Sequence, residues 1–178
     1  MIEALRLNRR LMLGAASTLV GAAWLPGGAS WAADTPAQPS DAVWASSFKD
    51  LTDTMQPLSQ WKGKTTVIYF FATWCVPCHL ETPKLVKLYN MFKQNDMVVI
   101  GIALDNADKT RAFAKRYNVE YPVVYGGRDA VQLGRDLGND QGAIPFTVVI
   151  DRGGKIVEVI KGDTPDGKLE SILRPLVA

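Results

Sequence analysis

The sequence has few of the side chains from which many special sites are built: two cysteines and one histidine in 178 residues. It also has no excess of either charge beyond its first ten residues, because three arginines and one glutamate there account for the whole net charge of +2. A neutral body offers no basic surface for nucleic acid and no electrostatic attraction to anionic lipid. The composition, 47% apolar and 21% charged, is typical of one soluble globular core and excludes a collagen-like repeat or a multi-span membrane protein.

The first 32 residues have the order of a secretory signal peptide. Arg9 and Arg10 precede a long uncharged apolar segment, and Ser30-Trp31-Ala32 offers small residues around a cleavage point. We predict a signal peptide over residues 1–32, and the paired arginines also resemble a twin-arginine export signal. The alternative is an uncleaved membrane anchor, for which the glycines and proline of this segment are poorly suited. In both cases the rest of the chain is expected outside the cytoplasm, in a bacterial periplasm.

Cys75 and Cys78 are the two cysteines, three residues apart. A disulfide between them closes a very short loop, so it contributes little loop-closure entropy to stability. A zinc site would need four ligands, and His79, the one histidine, is poorly placed beside Cys78 to complete it. The spacing favours a pair that exchanges disulfides, and a structural disulfide or a metal site stays as an alternative.

Residues 33–46 are rich in Pro, Ala, Ser and Asp and are predicted to be a linker, which leaves residues 47–178 as one domain. In this domain β-branched and apolar runs predict strands, and apolar residues at helical spacing predict helices. Three strand–helix units are followed by a hairpin and a final helix, which Thr164, followed by Pro165, is predicted to cap. The predicted strands lie near residues 66–71, 97–104, 121–125, 146–150 and 156–160. We expect an α/β fold with a mixed central sheet and helices on both faces.

The cysteine pair stands where the first predicted strand passes into a predicted helix, so Cys75 falls at a helix N-terminus. Unpaired N–H groups and the positive end of the helix dipole favour a thiolate there. Cys75 is therefore the expected nucleophile. Cys78, one turn further along, is expected to resolve the mixed disulfide that Cys75 forms.

The string Trp74-Cys75-Val76-Pro77-Cys78 resembles the active-site motif of the thioredoxin superfamily. Glu81 and Pro83 are similar to the Cys-x-x-Glu-x-Pro pattern of its exported TlpA/ResA-like thiol-disulfide oxidoreductases. Gly142-Ala143-Ile144-Pro145 resembles the loop whose proline is cis and packs beside the cysteines. Residues 105–141 match the extra strand and helix of that branch. The resemblance covers about residues 48–177 and implies a thioredoxin-like fold with this strand–helix insert.

The resemblance also implies roles for single residues. Glu81 shares a helix face with Cys78, so its carboxylate could accept the Cys78 proton, and partial burial should raise its pKa toward that task. In thioredoxin the buried acid lies on the strand, and the Tyr69 that takes this position here cannot do the same work near neutral pH. Pro145, if cis, fixes its loop, and the backbone of Ile144 could then pair with an extended substrate chain.

The residues around the nucleophile are expected to contact partner proteins. Trp74, Val76 and Pro77 are the candidates for substrate binding, together with Ile144 of the proline loop. His79 is expected to be a solvent-facing helix residue with little influence on the thiolate. No metal ligand set is expected among these residues.

The resemblance implies a periplasmic protein-disulfide oxidoreductase that acts mainly as a reductant and needs no cofactor. Its expected partners are protein disulfides, such as those of apocytochrome c or copper-site proteins, and a membrane electron-transfer protein that re-reduces it. Two alternatives stay open. The same motif serves disulfide oxidases and isomerases across the superfamily. The two thiolates would also suit a Cu(I) chaperone, although no clear distal His or Met completes such a site.

Overall fold

The computed structural model describes residues 40–178. The predicted signal peptide and the first part of the predicted linker lie outside the described residues. Within the described range the strands are β1 (Ser47–Asp50), β2 (Met55–Pro57), β3 (Thr65–Phe71), β4 (Met97–Ala103), β5 (Val123–Tyr125), β6 (Phe146–Ile150) and β7 (Ile156–Lys161). The helices are α1 (Asp41–Ala45), α2 (Val76–Phe92), α3 (Ala107–Arg116), α4 (Gly127–Asp136) and α5 (Lys168–Leu176), and a 3₁₀ helix spans Leu58–Trp61.

The strands form one seven-stranded sheet in the order β2-β1-β5-β4-β3-β6-β7. β3 lies inside the sheet, parallel to β4 and antiparallel to β6. Both β3 and β4 are buried along their whole length, which is why β-branched and other apolar residues fill them. β6 and β7 form the predicted C-terminal hairpin. The sheet confirms the predicted mixed α/β architecture.

Alternate side chains of β3 pack on opposite faces of the sheet. Val67, Tyr69 and Phe71 belong to a buried cluster with side chains of α2, α3 and α5. Ile68 and Phe70 belong to a second buried cluster, with side chains of α1 and α4. Helices therefore cover both faces of the sheet, as predicted. The C-terminal end of β3 leads through a short turn to the start of α2.

The predicted linker extends too far toward the domain. Residues 41–45 form α1, and Val43 and Trp44 are buried in the core. β1 and β2 then form a hairpin that joins the sheet through β5. α1, β1 and β2 have three to five residues each, with too few residues for a hydrophobic period and no run of β-branched residues, so the sequence does not reveal them. The folded unit includes residues 40–46, which the linker prediction excluded.

The last helix begins later than predicted. α5 starts at Lys168, after Gly167, whose φ of 75° lies in the left-handed region. The predicted buried stripe is present, since Leu169 and Leu173 are buried. Thr164 does not cap this helix, and its hydroxyl donates to a side chain of α2 instead. Among the helices of residues 40–178, none has the length and apolar character needed to cross a membrane.

Candidate active site

Cys75 and Cys78 form a disulfide at the beginning of α2, with 5.3 Å between their Cα atoms. β3 ends at Phe71 and α2 begins at Val76, so residues 72–75 are the turn between strand and helix. Cys75 is the N-cap residue of α2, and its Sγ accepts a hydrogen bond from the backbone N–H of Cys78 at 3.2 Å. The sulfur of Cys75 therefore lies where the helix dipole favours negative charge.

An exposed apolar surface lies beside the disulfide. Trp74 and Val76 flank Cys75 in the chain and are 68% and 71% exposed, and Leu80, one turn further along α2, is 67% exposed. Pro77 is half-buried. Large apolar side chains left together in water are typical of an interaction surface. Leu80 was not among the predicted site residues. The sequence indicates it only as a single leucine on the solvent-exposed side of α2.

The loop before β6 is held in place by a side chain that the sequence does not single out. The Ile144–Pro145 peptide bond is cis, and Ile144 is half-buried against the cluster that contains the disulfide. Asn139 is buried, and its amide donates to the carbonyl of Ala143 and accepts from the N–H of Ala143, both at 2.8 Å. The two hydrogen bonds hold the backbone of Ala143, two residues before the cis proline, in a defined position.

Glu81 is buried on α2, one turn after Cys78. Its Oε1 accepts a hydrogen bond from the hydroxyl of Thr164, and its Oε2 has no hydrogen-bond partner among the residues described. Burial raises the pKa of Glu81 above its ordinary value, the hydrogen bond from Thr164 opposes that rise, and the negative charge of Asp163 adds to it. Glu81 is thus a carboxyl group that releases its proton less readily than an exposed one.

A pocket of about 230 Å³ lies beside Glu81 and Thr164, between α2 and α5. Its walls include the apolar side chains of Leu85, Leu88 and Leu169. Thr164 is not recognisable as a site residue from the sequence, because no local pattern links it to a glutamate 83 residues earlier. The pocket gives the buried carboxyl group a neighbouring space that water can enter.

Tyr69, on β3, contacts the backbone of Cys78. Its hydroxyl donates to the carbonyl oxygen of Cys78 at 3.3 Å, and the hydroxyl of Thr82 donates to the same oxygen at 2.8 Å. Burial raises the pKa of Tyr69 above its ordinary value, so this phenol stays protonated near neutral pH. Tyr69 is a fixed hydrogen-bond donor, and Glu81 is the buried carboxyl group next to the pair.

His79 does not face solvent as expected. It is half-buried, and its Nδ1 lies 2.6 Å from the hydroxyl of Tyr117, while its Nε2 lies 2.9 Å from the carbonyl oxygen of Thr73. Its ring also packs against the rings of Phe113 and Tyr117, at centroid distances of 5.1 and 5.6 Å. The sequence misplaces this residue because its partners, Phe113 on α3 and Tyr117 at the end of that helix, come more than thirty positions later in the chain.

Residues 38–174 match the family model described as Redoxin. The thiol-disulfide oxidoreductase ResA of Bacillus thuringiensis subsp. konkukian is 31% identical over 130 residues, which cover 71% of this chain and 72% of that relative. ResA of Geobacillus kaustophilus is 27% identical over 128 residues, 71% of each chain. Among solved structures, a thiol:disulfide interchange protein of the thioredoxin family from Chlorobium tepidum TLS has a TM-score of 0.66 at 25% identity, covering 75% of this chain and 93% of that one.

Proposed function

Because this chain belongs to the Redoxin family and is a protein-disulfide oxidoreductase, we propose that it works outside the cytoplasm as a reductant of disulfide bonds in other proteins. The observation that carries the proposal is the placement of Cys75 as the N-cap of α2, with its Sγ facing the N–H of Cys78. A thiolate is favoured at that position, and a thiolate is the species that attacks a disulfide.

The reaction starts from the reduced protein. The Cys75 thiolate attacks one sulfur of a partner disulfide, forms a mixed disulfide and releases the partner's other sulfur, which takes up a proton. The Cys78 thiol then loses its proton, and its sulfur attacks Sγ of Cys75. The partner leaves with two thiols, and Cys75 and Cys78 are joined as the disulfide of the structure. Two electrons pass from this protein to the partner.

The order of attack follows from where the two sulfurs lie. Cys78, in the first turn of α2, has no exposed surface, whereas Cys75 keeps 4% of its surface exposed, is the N-cap residue and is flanked by the exposed side chains of Trp74 and Val76. A partner that lies on these side chains meets Cys75 first. Cys78 is reached only from inside the site, through the mixed disulfide.

Glu81 is the proposed acceptor of the Cys78 proton. It lies one turn after Cys78 on α2, and burial raises its pKa, which brings its basicity closer to that of a thiol. The pocket beside Glu81 and Thr164 offers a way for the proton to reach water while a partner covers Cys75. No other carboxyl group of the described residues is buried beside the pair.

Partner recognition is proposed to combine backbone pairing with apolar contact. Within the described residues the backbone N–H and C=O of Ile144 have no hydrogen-bond partner, so an extended partner segment can bind there as a short added strand. Pro145 offers no N–H and fixes the direction of this loop. Trp74, Val76 and Pro77 supply the contact surface on the other side of Cys75.

The proposed compartment is the periplasm, reached through the signal peptide predicted over residues 1–32. An oxidising compartment re-forms the Cys75–Cys78 disulfide, so a reductant there needs electrons from the cytoplasmic side, and we propose a membrane electron-transfer protein as the donor. The proposed substrates are the cysteine pairs of apocytochrome c or of a copper site. Both must be thiols first, because haem is attached covalently through the two cysteine sulfurs of apocytochrome c, and copper is bound by thiolate.

The test is the reduction potential of the Cys75–Cys78 pair, measured by equilibration with glutathione. A value of about −270 mV supports a reductant. A value of about −120 mV shows a disulfide oxidase and overturns the proposed direction of electron transfer. Cys78→Ser is expected to trap mixed disulfides with native partners, because the resolving thiol is gone. Cys75→Ser is the control and should trap none. Failure of Cys78→Ser to form any adduct would contradict a dedicated partner.

A further inference from the structure

Both ring nitrogens of His79 are engaged, and their partners determine where its proton lies. A carbonyl oxygen only accepts hydrogen bonds, so Nε2 carries a proton and donates to the carbonyl of Thr73 at 2.9 Å. In the neutral ring, Nδ1 then accepts from the hydroxyl of Tyr117 at 2.6 Å. His79 thus connects the first turn of α2 to α3 and to the turn that precedes Cys75.

The Thr73 peptide groups are held from two sides. The Thr73 N–H donates to Oδ2 of Asp105 at 2.5 Å, while its carbonyl accepts from His79. In the same turn, the N–H of Cys75 donates to the carbonyl of Ala72 at 3.2 Å. Side chains from the start of α2 and from the segment between β4 and α3 therefore fix residues 72–75, the segment that places the nucleophile.

In the oxidised protein the disulfide itself ties this turn to α2. Reduction removes that covalent bond. What then connects the turn to α2 through side chains is the hydrogen bond between Cys75 Sγ and the Cys78 N–H, and the hydrogen bond from His79 to Thr73. The hydrogen bond from the Cys78 N–H stabilises the thiolate only while the sulfur stays in position. The hydrogen bond from His79 to Thr73 does not involve the sulfur, so it can hold the turn, and with it the sulfur, in place.

We propose that His79 is a positioning residue of the active site, which acts through Thr73 to keep the Cys75 thiolate at the N-terminus of α2 in the reduced protein. The inference rests on the proposed function for the importance of that thiolate. Tyr117 supports it by orienting the imidazole ring, with Phe113 packed against the same ring. Neither His79 nor Tyr117 needs to touch a substrate in this role.

A different role for His79 is excluded by its surroundings. Residues 75–79 have the Cys-x-x-Cys-His spacing of covalent haem attachment. Haem attachment would need two accessible thiols and a free imidazole nitrogen, yet Cys78 is fully buried and both nitrogens of His79 are hydrogen-bonded. The spacing is therefore used here to join a helix to its preceding turn.

Substitutions at His79 and Tyr117 leave the neighbouring charged groups unchanged. Asp105 contacts Thr73 from the segment between β4 and α3, and Lys109 and Arg116 of α3 line the depression that also borders Thr73 and His79. A difference in pH profile between variants at His79 or Tyr117 therefore reports the hydrogen bonds of the ring.

The experiment measures the rate at which iodoacetamide alkylates Cys75 in the reduced full-length protein from pH 5 to pH 10. His79→Leu is expected to move the pH profile upward and to slow alkylation at pH 7 by about three- to tenfold, because the thiolate loses part of its helix-terminal stabilisation. His79→Gln keeps an amide N–H that can reach Thr73 and should restore most of the rate. Tyr117→Phe should shift the profile in the same direction by less.

Lys115→Ala, exposed on α3 close to Tyr117, is the matched control and should leave the profile unchanged. If His79→Leu does not fold, Tyr117→Phe carries the test, since it removes one hydroxyl and keeps the ring against Phe113. A wild-type profile in both His79→Leu and Tyr117→Phe, even with lowered thermal stability, overturns the inference. The reduction potential of the wild-type Cys75–Cys78 pair, measured with glutathione, tests the proposed reductase function separately, because it does not depend on these variants.

Discussion

The hydroxyl of Thr164 donates a hydrogen bond to Oε1 of Glu81 across 83 residues of sequence. It is a side-chain hydrogen bond to a buried carboxyl group, whose Oε2 has no hydrogen-bond partner among the described residues. The contact ties the acid of α2 to the segment before α5 and partly opposes the rise that burial causes in the pKa of Glu81.

Replacing Thr164 by valine keeps the side-chain shape and removes the donor. We expect Thr164→Val to lower the free energy of unfolding by about 1.5–3 kcal/mol where Glu81 is ionised, the range for a hydrogen bond to a charged group. The loss raises the folded-state pKa of Glu81 further, so the difference from wild type should shrink as pH falls through the folded pKa values and Glu81 becomes protonated. Urea denaturation from pH 4 to pH 9 measures it.

Thr164→Ser is the control for that series, because serine keeps the hydroxyl and loses one methyl group. It should lie close to the wild-type protein at every pH. A Thr164→Val deficit that stays constant with pH would show that the hydroxyl does not interact with the ionised carboxylate.

Glu81→Gln should become more stable relative to wild type as pH rises. The folded-state pKa of Glu81 is raised above the unfolded value of about 4.5, so the native state holds the proton more tightly than the unfolded chain. The contribution of Glu81 to wild-type stability is then greatest below pH 4.5 and falls between that pH and the folded pKa, whereas glutamine has no such loss. Thermal unfolding of both proteins across this window tests the sign. A relative stability that falls with pH would contradict the buried, weakly acidic Glu81.

The same substitution should slow the resolving step. Without a carboxylate to accept the Cys78 proton, we expect the lifetime of the mixed disulfide between Cys75 and a model peptide disulfide to increase by about tenfold or more near pH 7. The effect should fade at high pH, where the Cys78 thiol ionises unaided. Quenched-flow trapping of the adduct measures the lifetime. Glu170→Gln, a carboxyl group that lines the same pocket on α5, is the control and should leave the lifetime unchanged.

Gly126→Ala should destabilise the fold away from the active site. A Cβ atom at this position would lie 2.3 Å from a ring carbon of Phe48, a buried residue of β1. Overpacking of this kind costs about 1–3 kcal/mol. Gly134→Ala, inside α4 with its nearest neighbour at 3.8 Å, should instead be neutral or stabilise by up to about 1 kcal/mol. Equal effects in denaturant melts of the two variants would show that Phe48 can move aside.

The parts of the fold that could be predicted are those with strong local patterns. β3, β4 and β6 are continuous apolar runs because both of their faces are covered, and α2, α3 and α5 carry apolar residues at helical spacing. Short elements escaped prediction: α1 and the hairpin of β1 and β2 each have too few residues for a period to appear. Trp44 is buried in the core although its neighbours in the sequence are typical of a linker.

The cysteine pair could be predicted from local features of the chain, because the spacing of Cys75 and Cys78 and the strand–helix junction beside them depend on neighbouring residues alone. The side chains that surround this pair were not predictable in the same way, because the folding of the chain brings them together. Glu81 accepts a hydrogen bond from Thr164, and His79 is hydrogen-bonded to Tyr117. Both contacts connect segments that are distant in the sequence. Such contacts depend on how α2, α3 and the segment before α5 pack on the sheet, and packing leaves no period or motif in the sequence.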